Sequence, residues 1–240
     1  MGGVRQAVIL AGGLGTRLRA VLPGLPKALA PVAGRPFVEY LLLQLRRHHV
    51  ADVVLAVGYR AELVERHVGD GSSWGVRARY SREAEPLGTG GALKRAAMLL
   101  DGSTFLVMNG DSFFDVPLHD LVARHREAGA LGTLALVERP ALGDRYGAVE
   151  TDDAGRVVAF REKGPPTRRG GVNGGVYALE PEVLSAIPDG RPVSLEREVF
   201  PALAGRLHGR PYDGYFIDIG VPDDLARIRD DPSPLEQAVR

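Results

Sequence analysis

Ala7-Val8-Ile9-Leu10-Ala11-Gly12-Gly13-Leu14-Gly15-Thr16-Arg17-Leu18 is the stretch on which the fold turns. An apolar run, short and β-branched, passes straight into a turn carrying Gly12, Gly13 and Gly15. Glycine lets the backbone approach a ligand closely and aim several N–H groups at one anion. Arg17 adds a forked, permanently charged donor suited to phosphate oxygens. The stretch is neither a P-loop, since it lacks Gly-Lys-Ser/Thr, nor a Gly-x-Gly-x-x-Gly dinucleotide turn.

Outward from it, strand-like runs alternate with helical patterns. The sequence predicts strand Ala7 to Leu10, helix Phe37 to His48, strand Val53 to Val57, helix Ala61 to His67, strand Val76 to Tyr80, helix Ala92 to Leu100 and strand Phe105 to Met108. Val38, Leu41, Leu42 and Leu45 fall at i, i+3, i+4 and i+7, one apolar stripe to lay on a sheet. This alternation predicts an α/β fold, Rossmann-like, with a mostly parallel sheet covered by helices. Ligands of such open sheets bind beyond the carboxyl ends of the strands.

From Gly132 the rhythm changes to strand-like pieces separated by turns: Gly132 to Val137, Ala148 to Thr151, Val157 to Glu162 and Gly174 to Ala178. These predict antiparallel additions, with Asp152-Asp153-Ala154-Gly155 as a hairpin turn and 165–171 as an exposed loop. Helical patterns return at Pro181 to Ala186 and Leu195 to Ala204, and Pro222 would open a last helix to Arg229. The expected organisation is one domain over 1–230, in two parts that divide at about residue 115. Residues 231–240 are expected to form a loosely held tail.

The chain has 240 residues, with 30 basic and 30 acidic side chains and a net charge of zero. No summed field recruits nucleic acid or an anionic membrane, so any phosphate must be gripped locally. The absence of cysteine removes disulfides, thiolate metal sites and a cysteine nucleophile. No apolar run approaches the ~20 residues of a membrane span, and a cytoplasmic protein is expected.

Two further features carry chemistry. Leu25-Pro26-Lys27-Ala28-Leu29-Ala30-Pro31 fixes Lys27 between prolines, within reach of the phosphate that Arg17 would hold. Asp111 follows the apolar run Phe105 to Met108, where its carboxylate would sit at a strand's carboxyl end, although a turn or helix-cap aspartate fits the same place. Asp218, between Ile217 and Ile219 and before Gly220, is open to the same two readings.

With these residues in view, Gly13-Leu14-Gly15-Thr16-Arg17-Leu18 and Pro26-Lys27 resemble the signature of the sugar-1-phosphate nucleotidyltransferases. Glu85-Pro86-Leu87-Gly88-Thr89-Gly90-Gly91-Ala92 resembles the family's nucleoside loop, Asn109-Gly110-Asp111 its metal aspartate, and Glu162-Lys163 its sugar-phosphate lysine. Asn173-Gly174-Gly175 and Phe216-Ile217-Asp218-Ile219-Gly220 complete the series in the family's order. Two positions depart from it: Lys27-Ala28 replaces Lys-Pro, and Glu162-Lys163-Gly164 replaces Glu-Lys-Pro.

The resemblance implies a nucleoside triphosphate and a sugar 1-phosphate as substrates, Mg²⁺ as cofactor, and a homo-oligomer as one possible assembly. It assigns Leu10, Ala11, Gly12, Gly13, Gly15, Thr16, Arg17, Lys27, Glu85, Leu87, Gly88, Thr89 and Asp111 to the nucleotide. Gly147, Glu162, Lys163, Asn173 and Gly174 go to the sugar phosphate, and Asp111 and Asp218 to the metal. Arg17, Lys27, Asp111, Lys163 and Asp218 form the implied catalytic set. Asn109 to Asp115 and Asp144 to Val149 are most similar to the branch that guanylylates a manno-configured heptose 1-phosphate, implying GTP. Mannose 1-phosphate guanylyl transfer and uridylyl or thymidylyl transfer to other sugars are the alternatives within the family.

Outside that activity, a nucleotide-sugar sensor would bind product without releasing pyrophosphate, and the five charged groups speak against it. A glycosyltransferase would need the Asp-x-Asp pair that Asp111-Ser112-Phe113 lacks. The remaining polar residues have plainer readings: His48 and His49 as cations at a helix end, Asp152-Asp153 as a turn, Trp74 as partial core, and Glu196, Arg197 and Glu198 as a solvated face.

Overall fold

The structure is a computed structural model, and it describes residues 4–18, 21–138, 147–161 and 169–240. Strand β1 (Gln6–Leu10) leads through the glycine loop and a small hairpin, β2 (Pro31–Val32) and β3 (Arg35–Pro36), into helix α1 (Phe37–Arg47). There follow β4 (Asp52–Val57), α2 (Ala61–Val68), β5 (Arg77–Arg82), α3 (Gly88–Ala97) and β6 (Phe105–Asn109). β4 runs parallel to β1 and to β5, and β1 parallel to β6, giving the order β5-β4-β1-β6.

Strand alternation divides the core between the sheet's two faces. Ala7, Ile9, Val53, Leu55, Val57, Leu106 and Met108 point to the side covered by Phe37, Val38, Leu41, Leu42 and Leu45 of α1. Val8, Val54, Ala56, Phe105 and Val107 point to the side covered by Ala92, Leu93 and Ala96 of α3. Burial on both faces accounts for near-continuous apolar runs in place of apolar-polar alternation.

The second half adds β7 (Ser112–Phe114), α4 (Leu118–Ala128), β8 (Gly132–Val137), β9 (Ala148–Thr151), β10 (Val157–Arg161) and β11 (Gly170–Leu179). β11 is antiparallel to β6, β8 and β9, so the expected antiparallel additions join the same sheet. Then come a short helix α5 (Phe200–Ala202), β12 (Leu207–Tyr212), β13 (Phe216–Asp218), α6 (Pro222–Asp230) and α7 (Ser233–Ala238). Of the loop predicted at 165–171, residues 165–168 lie outside the described residues, while Gly170 and Gly171 already belong to β11.

Four features differ from the sequence reading. β12 carries Gly209 and Pro211, which look like loop, but it lies at the sheet margin beside β8, where a missing N–H is tolerated. The expected helix from Leu195 to Ala204 is a π turn, Leu195–Val199, continued by α5; Phe200 N–H reaches back to Leu195 O next to Pro201, which has no N–H to donate. α4, with Leu118, Leu121 and Val122 buried, and the two three-residue strands β7 and β13 were not legible.

The fourth is the end of the chain, which is no loose tail. α7 buries Leu235 completely and Ala238 nearly so, and Arg47 of α1 donates to the Ala238 carbonyl. Among the described residues no helix is long and apolar enough to cross a membrane. Leu235→Ala should lower the free energy of unfolding by about 2–5 kcal/mol, a cost that a loosely held tail would not show in a denaturant titration.

Candidate functional site

A cavity of about 590 Å³ opens at the carboxyl ends of β1 and β6, where the open-sheet rule places it. Its walls include Leu10 to Arg17, Lys27, Gly88, Thr89, Asp111 and Asp218, which brings most of the sequence-predicted nucleotide and metal residues together. The Leu10 carbonyl accepts from Gly110 N–H at 3.0 Å, and Ala11 N–H donates to Ala56 O at 2.8 Å. These bonds tie the start of the loop to both neighbouring strands. Buried Leu18 ends the single turn Thr16–Leu18 and anchors the far side, while Thr16 and Arg17 stay exposed.

Gly15 has φ +59°, and a Cβ there would stand 3.1 Å from Lys27 Cγ. The lysine stem therefore runs beneath the loop. Pro26, at φ −68°, starts the turn Lys27–Leu29, whose Ala28 and Leu29 are buried, so Lys27 is held at its base. Its Nζ lies 2.7 Å from Asp111 Oδ2. Ala28 keeps this geometry without the usual proline.

Asp111 is fixed by two close approaches. A Cβ on Gly110 would lie 2.7 Å from the Leu10 carbonyl oxygen, so only glycine lets β6 end so close to β1. On the other side, β7 pairs antiparallel with β13, setting Asp218 opposite Ser112, and Ile219 N–H donates to Asp111 O at 2.8 Å. Asp218 Oδ1 and Asp111 Oδ2 both lie within 3.2 Å of the point where a Gly220 Cβ would stand, with Lys27 Nζ 3.4 Å from it. Gly220 N–H also donates to Asp218 Oδ1 at 2.7 Å.

Burial, and then the charge of Asp111, raises the Asp218 pKa to about 6. Two converging carboxylates with an excess of negative charge suit a hard divalent cation such as Mg²⁺, which takes one or two carboxylates and fills its shell with phosphate and water oxygens. No third His, Cys, Asp or Glu joins them among the described residues.

Two of the residues assigned to the nucleotide lie elsewhere. Glu85 and Leu87 line a separate hollow behind α3, with Met98, Leu184 and Pro192. The turn that swings them out has Gly88 at φ +71°, packed so tightly on the Val193 backbone that a side chain would collide. Glu83, two residues before Glu85, takes the place in the cavity. Of the sugar-phosphate set, Glu162 and Lys163 lie outside the described residues. Gly147, Asn173 and Gly174 are not in the cavity wall; Gly147 O accepts from Asn173 N–H, and Gly174 packs on Phe114.

Asn173 reaches the cavity indirectly. Its Nδ2 donates to the Tyr177 hydroxyl at 2.9 Å, and that hydroxyl lies 3.4 Å from Glu196 Oε1. Glu196 is no solvated helix face: it lines the cavity, accepting from Thr89 Oγ1 at 2.7 Å and from Ser194 Oγ at 3.0 Å. The Leu195–Val199 π turn presents it, a geometry that depends on hydrogen bonding the linear pattern does not show. Burial, and then Glu196, holds the Tyr177 hydroxyl well above the usual phenol range. The plainer readings of Asp152 and Trp74 stand, the first accepting from Ala154 and Arg156 N–H in its turn and the second packed against the core.

The family model described as nucleotidyl transferase matches residues 6–232. The D-glycero-alpha-D-manno-heptose 1-phosphate guanylyltransferase of Aneurinibacillus thermoaerophilus is 38% identical, over 93% of this chain and 96% of its own length. The mannose-1-phosphate guanylyltransferase of Mycobacterium tuberculosis is 41% identical over 92% of this chain, but the match spans only 63% of that longer protein. Among solved structures, HddC from Yersinia pseudotuberculosis complexed with GMP-PN superposes with a TM-score of 0.83 and 31% identity, covering 96% of this chain and all of that one.

The Asp218 pKa carries a test of its own. Because it is raised on folding, the carboxylate's contribution to stability is greatest below pH 4 and falls as pH rises to about 6. In chelator, Asp218→Asn should therefore match the parent Tm near pH 4 and exceed it at pH 7, while turnover with Mg²⁺ falls roughly 100-fold or more. A lower Tm at pH 7, or undiminished turnover, would count against the shared metal site.

Proposed function

The chain belongs to the nucleotidyl transferase family, and on that basis we propose that it transfers GMP from GTP to a sugar 1-phosphate, D-glycero-α-D-manno-heptose 1-phosphate in first place, releasing pyrophosphate. The observation that carries this reading is the convergence of the glycine loop, Lys27, Asp111 and Asp218 on one cavity, in a chain matching heptose 1-phosphate guanylyltransferases over nearly their whole length. Mannose 1-phosphate is the second reading, favoured by the 41% identity to the mycobacterial enzyme.

Such a transfer needs no covalent enzyme intermediate. A sugar-phosphate oxygen attacks the α-phosphorus in line, the bond to the β-phosphate oxygen breaks, and pyrophosphate leaves with that electron pair. Placement and charge neutralisation supply the rate. The N–H groups of the glycine loop and the Arg17 guanidinium would hold the triphosphate and then the leaving pyrophosphate. Lys27, paired with Asp111, would place a positive charge beside the reacting phosphate. Lys163 would grip the attacking phosphate and Glu162 a sugar hydroxyl, while Asn173 would act on the cavity through Tyr177 and Glu196. Asp111 and Asp218 would hold Mg²⁺, which when bound neutralises phosphate charge.

These assignments separate in steady-state kinetics. Arg17→Ala should raise the GTP KM or lower turnover, and Lys163→Ala should do the same for the sugar phosphate, each by about 10- to 100-fold in kcat/KM. Pyrophosphate release with GTP, ATP, UTP and dTTP against heptose and mannose 1-phosphates tests the substrates. Highest kcat/KM with UTP or dTTP would overturn the guanylyl reading, and clear preference for mannose 1-phosphate would overturn the sugar.

A further inference from the structure

Asp218 ends β13, and Asp111 comes immediately before β7. Among the described residues these two strands, each three residues long, pair only with each other and stand apart from the main sheet. A two-stranded pair of that length is marginal by itself. Its register sets how close the two carboxylates come, so whatever braces the pair also braces them.

One such brace reaches β7 from α1. Gln44 is completely buried, on a helix face otherwise formed by Val38, Leu41, Leu42 and Leu45. Its Nε2 donates to the Phe114 carbonyl at 2.6 Å. Asp111 O accepts from Ile219 N–H and Asp115 N–H donates to Tyr215 O, both at 2.8 Å, so residues 111 and 115 turn their backbone groups toward β13. Backbone groups alternate sides along a strand, and the Phe114 carbonyl therefore points away from β13. The strand pair offers it no donor, and a buried carbonyl needs one. One turn further along α1, Arg47 donates to Asp115 Oδ1 at 2.5 Å, so a single helix grips two consecutive residues at the end of β7.

Stability alone does not call for an amide at this position. Gln44 Oε1 is itself buried without a hydrogen-bond partner. A leucine would fill a similar volume and leave one bare acceptor, Phe114 O, just as the glutamine leaves one, Oε1. What the glutamine adds is a directed bond to β7.

We propose that Gln44 is a positioning residue for nucleotidyl transfer: through Phe114 it holds β7 in register with β13, and so keeps Asp111 and Asp218 at the spacing one divalent cation needs. Gln44 itself is not part of the cavity wall. This role rests on the reading of the two aspartates as metal ligands and deepens it.

Gln44→Leu removes the donor and keeps the bulk. Mn²⁺ binding without nucleotide, followed by water-proton relaxation, should weaken about 10-fold, and the Mg²⁺ concentration for half-maximal turnover should rise in step. The GTP KM at saturating Mg²⁺ should stay unchanged. Leu235→Ala controls for a merely structural role, since it lowers Tm at α7 and should leave Mn²⁺ affinity as in the wild type. Gln44→Met serves if the leucine variant does not fold.

Wild-type Mn²⁺ affinity in the Gln44 variant, or an equal loss in Leu235→Ala, overturns the positioning role and leaves the metal reading standing. A wild type that binds no Mn²⁺, or binds it no better than Asp218→Asn does, overturns the metal reading itself.

Discussion

The pairing of Ser112–Phe114 with Phe216–Asp218 is the constraint on which the site depends. It delivers a carboxylate from late in the chain to the side of Asp111, and the two repel. Like charges a few ångströms apart at an effective dielectric of about 20 oppose each other by a few kcal/mol. Against this stand Phe113, Phe114 and Ile217, all buried, with Phe216 edge-on to Phe114 at 5.8 Å. Burial of each such side chain contributes about 1.5–3 kcal/mol, so apolar packing holds the charged pair together with stability to spare. Lys27 then offsets part of the repulsion locally.

Everything else in the site is arranged around that pair by backbone approach. β1 and β6 end side by side because Gly110 has no side chain, and the loop after β1 is fastened to both neighbouring strands before it reaches out to Leu18. A rigid parallel sheet thus carries a loop of exposed donors at its carboxyl edge, the usual division between scaffold and chemistry in open α/β sheets. β11 joins the second half to this scaffold. It pairs with β6 through Val176 to Leu179, and its register slips between Asn173 and Tyr177, where Gly175 at φ +72° packs on Asn109. From there Tyr177, Glu196 and Thr89 form a polar chain from β11 to the start of α3, so the two halves of the cavity share one hydrogen-bonded wall.

The sequence by itself determined the parallel half of the fold and pointed to the residues of the glycine loop, Lys27, Asp111 and Asp218 that the structure brings to one cavity. Apolar periodicity is local, and Val8, Val54 and Val107 announce buried strands whatever surrounds them; the motifs around Arg17, Lys27, Asp111 and Asp218 are local in the same sense. Tertiary structure alone decided the rest. β12 is a strand because β8 lies beside it, despite Gly209 and Pro211, and α7 is anchored because Leu235 finds a pocket beside α1. Glu83 and Glu85 are two residues apart in the same loop, and no pattern of residue types separates them. The turn at Gly88, forced tight against the Val193 backbone, sends one carboxylate into the cavity and the other behind α3. Glu196 became a wall of the site only through its bond to Thr89, because which face of a helical turn meets water is a property of the packed chain.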